Sequence, residues 1–322
     1  MPKILLVKTS SMGDVIHNLP VVSDIHQRFP GATVDWVVEE SFAQIPALHP
    51  GVRKTIPVAL RRWRTSLMHP GTRQEVGAFH AALRGEAYDY VIDTQGLLKS
   101  ALITRCARGR RAGYDWQSAR EPLSALFYDR RFHVEKALHA VERNRRLAGL
   151  ALAYEAQSFS LDYGIATAAR KSPSSVASPY AVLLHATSRD DKLWQEERWA
   201  DLGQRLAEAG VHSVLPWASD TEKARSTRLQ AAIPHAVVPG TLGLRDAATL
   251  LAHAAIVVGV DTGLTHLAAA VGSSVVAIYV ATSPGLTGVY GGARAVNFGN
   301  VGRSPSADEV LVAAHNLMVA GT

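Results

Sequence analysis

Short unbroken apolar runs alternate along the chain with stretches where apolar residues recur every three or four positions. Residues 3–7 are such a run, and Ile16, Leu19, Val22 and Ile25 mark a helical stripe across 15–29, so the chain opens strand, loop, helix. Runs at 33–38 and 88–92 predict further strands, and the spacing at 97–107 and 137–152 predicts helices. Strands alternating with helices predict a parallel sheet. Between residues 155 and 179 the chain becomes rich in Ser and Ala around Lys171, Ser172, Pro173, Ser174 and Ser175, the composition of a linker. The alternation then restarts with a strand at 181–184 and an amphipathic helix at 196–209 stopped by Gly210. Strands at 211–215, 256–260 and 275–280 follow, with helices at 265–271 and 308–319. The pattern predicts an α/β chain of two doubly wound domains, residues 1–165 and 166–322, its closing helix able to pack back on the first. In such folds ligands bind beyond the carboxyl ends of the strands and in the cleft between domains.

Composition narrows the class. A chain of 322 residues, 47% hydrophobic and 19% charged, has apolar surface for sizeable cores and is far from the composition of disorder. Cys106 is the only cysteine, so neither an intrachain disulfide nor a cysteine metal cluster can form, and a reducing cytoplasm fits. Residues 1–8 lack the layout of a signal peptide. The longest uncharged stretch, 262–293, is cut by His266, the turn at 272–274 and Pro284, so it reads as a buried helix followed by a strand rather than a membrane span. The formal net charge is +6, and it is unevenly placed: residues 1–165 hold 22 Lys and Arg against 16 Asp and Glu, whereas 166–322 hold 12 of each. Residues 41–74 contain Arg53, Lys54, Arg61, Arg62, Arg64 and Arg73 and no acid, and 99–111 adds five basic residues, also without an acid. An anion-binding surface and a solvated basic face both account for such a run; the missing local counter-charges leave the two evenly matched.

Neither G-x-G-x-x-G nor G-x-x-x-x-G-K-[ST] occurs, which disfavours a standard dehydrogenase or P-loop enzyme. Three strand-to-helix turns carry the polar residues instead. The first, Lys8 to Asp14, is made of small residues that let a ligand approach the backbone, with Asp14 placed either to reach a cleft or to cap the helix; spacing alone favours the cap. Lys8 could pair with Asp14 and keep it ionised, or be an exposed cation. The second, His185 to Trp194, sets Lys192 among the hydroxyls of Thr187 and Ser188, suited to phosphate. Asp190 and Asp191 read as ion-pair partners of Arg189 and Lys192 rather than metal ligands, and His185 as a core histidine. The third, Gly259 to Ala270, places Asp261, Thr262, Gly263 and His266 where a strand gives way to a helix N-terminus, a site for an anion beside sugar hydroxyls.

Together these turns resemble those of the lipopolysaccharide heptosyltransferases, glycosyltransferase family 9 of the GT-B superfamily, and among them the type I branch. The segments that carry it are VKTSSMGDVIHNLP (7–20), DWVVEESFAQIP (35–46), IPVALRRWR (56–64), DTQGLLKSA (93–101), DWQSAREPLS (115–124), LHATSRDDKLW (184–194) and VDTGLTHLAAA (260–270). The resemblance covers nearly the whole chain and implies a GT-B fold, two Rossmann-like domains facing across a cleft, the first binding the acceptor and the second ADP-heptose. It implies inverting transfer of L-glycero-D-manno-heptose from ADP-heptose, a substrate rather than a cofactor, to the first Kdo of Kdo2-lipid A, without a catalytic metal. Asp14 would be the general base, and Lys192 with the helix N-terminus at Thr262 and Gly263 would stabilise the departing diphosphate. Thr187, Ser188, Asp261 and His266 would complete the donor site, Glu222 would hold the ribose, and Leu242 would lie against adenine. On the acceptor side Arg61, Arg62 and Arg64, aided by Arg120 and Arg143 and by Ser11 and Gly13 of the first turn, would meet Kdo carboxylates or lipid A phosphates, while Trp63 reads as packed. The enzyme would work at the anionic cytoplasmic face of the inner membrane as a peripheral protein. Two positions depart from the family pattern, Ala218 and Val280 standing where glycine is usual.

Three other readings share parts of this evidence. A nucleotide-sugar epimerase can have this architecture but needs no basic acceptor surface, and a later heptosyltransferase of the core would differ in acceptor. A nucleic-acid or anionic-membrane binding module would use the arginines but not Asp14, Lys192 and Asp261; no RNA-stacking motif or zinc spacing supports a nucleic-acid partner.

Overall fold

A computed structural model describes residues 1–66, 68–165 and 177–320. The chain divides into two compact units, Met1–Ile165 and Ala166–Thr322. The first contains β1 (Lys3–Val7), α1 (Met12–Ile16), α2 (Leu19–Arg28), β2 (Thr33–Glu39), β3 (Val52–Val58), α3 (Leu60–Trp63), α4 (Pro70–Arg84), β4 (Ala87–Asp93), α5 (Leu98–Cys106), β5 (Arg108–Tyr114), β6 (Arg130–Phe132) and α6 (Ala140–Leu152). Its strands form one parallel sheet in the order β3-β2-β1-β4-β5-β6. That is the doubly wound order in which the chain reverses direction across the sheet between β1 and β4, leaving a crevice at their carboxyl ends. β1 is apolar because it is central: Ile4, Leu5, Leu6 and Val7 are fully buried.

The helix expected over 15–29 is two helices, α1 and α2, parted at His17 and Asn18. Pro20 is the cause, since it has no N–H and its ring would meet the Ile16 carbonyl of a continuous helix. β5 and the edge strand β6 did not show as apolar runs because their sequences, RGRRAGY and RRF, are rich in arginine, most of it exposed.

The second unit contains β7 (Tyr180–Leu184), α7 (Glu196–Glu208), β8 (His212–Val214), α8 (Asp220–Ala232), α9 (Leu244–Ala252), β9 (Ile256–Val260), α10 (Gly263–Ala270), β10 (Val275–Tyr279), α11 (Pro284–Thr287), β11 (Ala295–Gly299) and α12 (Ala307–Ala320). Its parallel sheet runs β11-β10-β9-β7-β8, and an isolated parallel bridge between Val214 and Val237 adds a vestigial strand outside β8. Counting that bridge, the winding repeats that of the first unit, with the switch point between β7 and β9. Closing helix α12, which the sequence left able to return to the first domain, packs in its own unit: Val310, Ala314 and Leu317 join Trp199, Leu202 and Ile278 in one core. α8 escaped the periodicity reading because its turns are mostly polar and exposed.

The stretch expected as linker is partly structured. Its centre, Lys171 to Ser175, lies outside the described residues. Its start belongs to the first unit, where buried Arg145, held by Asp24 at 2.8 and 3.0 Å, donates to the carbonyls of Ala156 at 2.9 Å and Phe159 at 2.8 Å.

Candidate active site

In the second unit the chemistry collects where β7 and β9 end. The loop after β7 is tied to the loop after β9 by the Thr187 hydroxyl, which donates to the Asp261 carbonyl at 3.1 Å. Lys192, in a short 3-10 turn at Asp190–Lys192, reaches the same place, its Nζ 2.6 Å from Asp261 Oδ2. Thr282, beyond β10, donates to that oxygen at 2.8 Å, and His266 Nε2 lies 3.6 Å from Oδ1. Burial alone would raise the Asp261 pKa, but the bonds from His266, Lys192 and Thr282 outweigh it and hold the carboxyl well below the usual carboxylate range. Asp261 is therefore an anion throughout the neutral range, and Lys192 its counter-ion.

Thr262 is the N-cap residue of α10 but makes no side-chain capping bond. The first N–H groups of α10 thus present the positive end of the helix dipole beside the Lys192 ammonium. Gly259 makes room for the packing: a Cβ there would collide with Thr265 Oγ1 and lie 3.0 Å from Leu184 Cβ, so its absence lets α10 close on the strands. Asp191 pairs with Arg189 as expected, but Lys192 leaves the Asp190–Asp191 pair for Asp261. His185 is a core residue, bonded through Nε2 to Ser226 Oγ at 2.9 Å, and burial pushes its pKa down to about 4.

Ser188 lies in the same β7 loop and is exposed. Glu222 sits in the first turn of α8, its carboxylate accepting from the Ala218 N–H at 2.7 Å. Leu242 lies half-buried ahead of α9. Among the described residues, the non-glycine positions with positive φ are Ala153 and His235, so neither Ala218 nor Val280 has to adopt a glycine-only backbone.

In the first unit the crevice between β1 and β4 is built on a buried polar frame. Gln95 grips the first turn, its Oε1 accepting from Thr9 N–H at 2.6 Å and Thr9 hydroxyl at 2.8 Å while its Nε2 donates to the Ser10 carbonyl at 3.0 Å. Asp93 accepts from the N–H groups of Gln95 at 2.8 Å and Gly96 at 3.2 Å and from the Tyr128 hydroxyl at 2.7 Å. Gly96 has φ of +67°, which is why the turn after β4 reads D-T-Q-G. Lys8 is neither paired with Asp14 nor exposed: it is buried, donates to the Thr94 carbonyl at 3.0 Å and to Asn144 Oδ1 at 3.3 Å, and desolvation lowers its pKa.

Asp14 does take part in capping α1, from the third helical position rather than as the N-cap itself. Ser11 is the N-cap, and Asp14, three residues on, reaches back with Oδ2 to the Ser11 N–H at 2.9 Å and Ser11 hydroxyl at 3.0 Å. This uses one carboxylate oxygen and fixes the direction of the other, in a half-exposed side chain. Gly13 lies between them in the same turn of helix. Lys99, from α5, donates to Ser10 Oγ at 3.1 Å. Arg120 and Arg143 lie near enough to Lys8 to act on its charge. Arg143 stacks 4.8 Å over the Tyr114 ring and donates to the Ser118 carbonyl.

The basic run at 41–74 is not without counter-charges; they stand outside it in sequence. Arg53 is held by Asp35 and Glu86, both at 2.6 Å, and Arg62 by Glu40 at 3.0 Å and Glu75 at 2.8 Å, the two acids that flank the window. Arg61 and Arg64 make no ion pair among the described residues, and Arg61 lies 5.6 Å over Phe42. Trp63 is packed, as expected, with its Nε1 donating to Glu75 at 2.7 Å and its ring edge-on to Phe79. The structure thus separates Arg62, already neutralised, from Arg61 and Arg64.

Residues 76–314 match the model of glycosyltransferase family 9, the heptosyltransferases. Lipopolysaccharide heptosyltransferase 1 of Escherichia coli K12 is 48% identical over 290 residues, covering 90% of this chain and 91% of that protein. The chain belongs to glycosyltransferase family 9. Among solved structures, E. coli heptosyltransferase WaaC with ADP is similar with a TM-score of 0.89 and 44% identity, over 99% of each chain. The same enzyme with ADP-2-deoxy-2-fluoro heptose gives 0.88 and 43%, again over 99% of each. The fold of this family 9 glycosyltransferase is GT-B-like, and a nucleotide-sugar epimerase or a nucleic-acid module no longer competes. Among the described residues, no helix is long and apolar enough to cross a membrane. Sequence reasoning passed over Gln95, Lys99 and Thr282 in the frames of these crevices. The tract D-T-Q-G and the position of Thr282 just past a buried strand were the available signals, but their meaning depends on which strands are neighbours.

Proposed function

We propose that the protein transfers L-glycero-D-manno-heptose from ADP-heptose to the first Kdo of Kdo2-lipid A, with inversion at the anomeric carbon. The observation that supports this most is the β7–β9 crevice, where a lysine, an uncapped helix N-terminus and a carboxylate held ionised are gathered: two cationic features for a diphosphate and one acceptor group for sugar hydroxyls. The relatives solved with ADP and with a fluorinated ADP-heptose are consistent with such a donor.

In this scheme Asp14 takes the proton from the Kdo hydroxyl as that oxygen bonds to the anomeric carbon. The bond from that carbon to the diphosphate oxygen breaks, and its electron pair leaves with ADP. Ser11 prepares Asp14 by engaging one oxygen and aiming the other. Lys192 and the N–H groups at Thr262 and Gly263 carry the charge that develops on the leaving diphosphate. Thr187, Ser188 and His266 shape the donor site, Glu222 holds the ribose and Leu242 meets the adenine. Arg61 and Arg64, with Arg120 and Arg143 nearer the first turn, meet the acceptor's carboxylates and phosphates. The enzyme would meet its lipid-linked acceptor as a peripheral protein at the cytoplasmic face of the inner membrane.

The test is release of ADP from ADP-heptose with and without a Kdo-lipid acceptor. Acceptor-dependent release is expected, and release that ignores the acceptor would overturn the assignment. Asp14→Asn should abolish turnover while ADP-heptose affinity stays within about threefold, because the substitution keeps size and removes only the base. An acceptor already bearing a first heptose should not serve; if it is preferred, the enzyme acts later in the core.

A further inference from the structure

An apolar groove of about 600 Å³ opens in the first unit between α3, α4 and α5. Leu60, Trp63, Val76, Phe79, Leu102 and Ile103 form its walls, and among the described residues no acidic side chain lines it. Leu102 is 52% exposed and Val76 38%, on helix faces that solvent would otherwise favour as polar. Its other lining residues include Arg61, Arg64 and Lys99, so cations stand along an otherwise greasy trough. This combination matches an amphiphile with an anionic head and a hydrocarbon tail, and the volume lies within the ~300–1,000 Å³ of pockets that enclose small ligands.

Lys99 decides which amphiphile. It lines the groove and also donates to Ser10 Oγ at 3.1 Å, in the turn whose next residue, Ser11, holds Asp14. The groove is therefore continuous with the proposed acceptor end of the first unit. We propose that the groove seats one acyl chain of the anionic lipid that carries the acceptor sugar. The lipid's charged groups lie on Arg61, Arg64 and Lys99, and its sugar reaches the turn of Asp14. This rests on the acceptor reading above and adds to it a subsite for the lipid tail.

The binding test titrates octyl, decyl and dodecyl phosphate, below their micelle concentrations, into the full-length enzyme, with inorganic phosphate as the headgroup control. Each added methylene should tighten binding by up to about fourfold, and inorganic phosphate should bind far more weakly than dodecyl phosphate. Val76→Trp, which fills the groove, should weaken dodecyl phosphate at least about tenfold. Leu102→Gln, at an exposed position that does not threaten folding, should weaken it in the same direction. In steady-state assays an acylated acceptor should show a lower KM than its fully deacylated counterpart. Val76→Trp should erase that difference while leaving kcat and KM for the deacylated acceptor unchanged. Affinity independent of chain length, equal KM values for the two acceptors, or variants that bind dodecyl phosphate like the parent would each overturn the groove assignment. Transfer to the deacylated acceptor reports separately on the heptosyl-transfer reading: if it proceeds while the chain-length dependence is flat, the groove falls and the activity stands. If no acceptor is used, the reading beneath the proposal fails instead.

Discussion

Lys192→Met separates the ion pair that this residue makes in the second-unit crevice from the diphosphate contact proposed for it. The substitution keeps the length of the side chain and removes its charge. In the structure Lys192 Nζ lies 2.6 Å from Asp261 Oδ2, with side chains 18% and 16% exposed. Breaking a fully buried pair costs about 3–5 kcal/mol and an exposed one about 0–1, so a pair this shielded should cost about 1–3 kcal/mol. Thr282 and His266 remain to hold Asp261, which keeps the loss toward the lower end. For a unit of this size the melting temperature should fall by roughly 2–10 °C. If Lys192 also contacts the diphosphate, a charge-assisted bond worth about 1.5–3 kcal/mol disappears, and the Kd for ADP rises roughly 10- to 150-fold. Thermal melting and calorimetric titration with ADP, run on the same preparation, read the two effects separately. A variant that melts lower yet binds ADP within about twofold of the parent would refute the reasoning: Lys192 would then be an anchor for Asp261 and nothing more. Asp261→Asn is the companion, since releasing Lys192 from its counter-ion should strengthen ADP binding a few-fold while weakening ADP-heptose if its sugar hydroxyls donate to Asp261 as proposed, because the amide keeps one acceptor oxygen without the charge.

Other outcomes follow from the same geometry. Arg61→Ala and Arg64→Ala should each raise the acceptor KM by about fivefold or more, whereas Arg62→Ala, whose charge is shared by Glu40 and Glu75, should change it less than about twofold; equal effects from all three in steady-state assays would remove the distinction. Burial holds the pKa values of His49 and His185 down to about 4 from an ordinary 6.5, so the unfolded chain takes up protons that the folded one refuses. Stability should therefore fall as pH drops from 6.5 toward 4, by about 2 kcal/mol per histidine at pH 5, and denaturation midpoints that stay flat between pH 7 and 5 would count against it. Arg145→Met strands the buried Asp24 carboxylate and releases two carbonyls, so it should cost about 3–5 kcal/mol in chemical denaturation; a loss below about 1 kcal/mol would mean that Asp24 finds another partner.

How much of this was legible beforehand depends on the range of the interaction concerned. Central strands announced themselves: β1 and β9 match the expected apolar runs residue for residue, because a strand buried on both faces has no room for polar side chains. The turns that carry Asp14, Lys192 and Asp261 were equally visible, as small and charged residues crowded where a strand ends. β5, the edge strand β6 and helix α8, whose exposed charged and polar residues interrupt any apolar stripe, left no periodic trace.

What tertiary structure alone decided were partnerships across the chain. The run at 41–74 has no acid within it, yet Arg53 and Arg62 are neutralised by Asp35, Glu86, Glu40 and Glu75, brought in by sheet pairing and by α4. Lys192 passes over the aspartate beside it for Asp261, 69 positions away. Gln95 braces a turn 85 positions earlier because β4 lies against β1. Side-chain chemistry and local spacing act over a few residues and can be read in order, so the sequence by itself determined the α/β alternation, the two windings and the polar turns. Charge pairing and groove walls act through space, and only the order of strands in the sheet settles which distant residues meet.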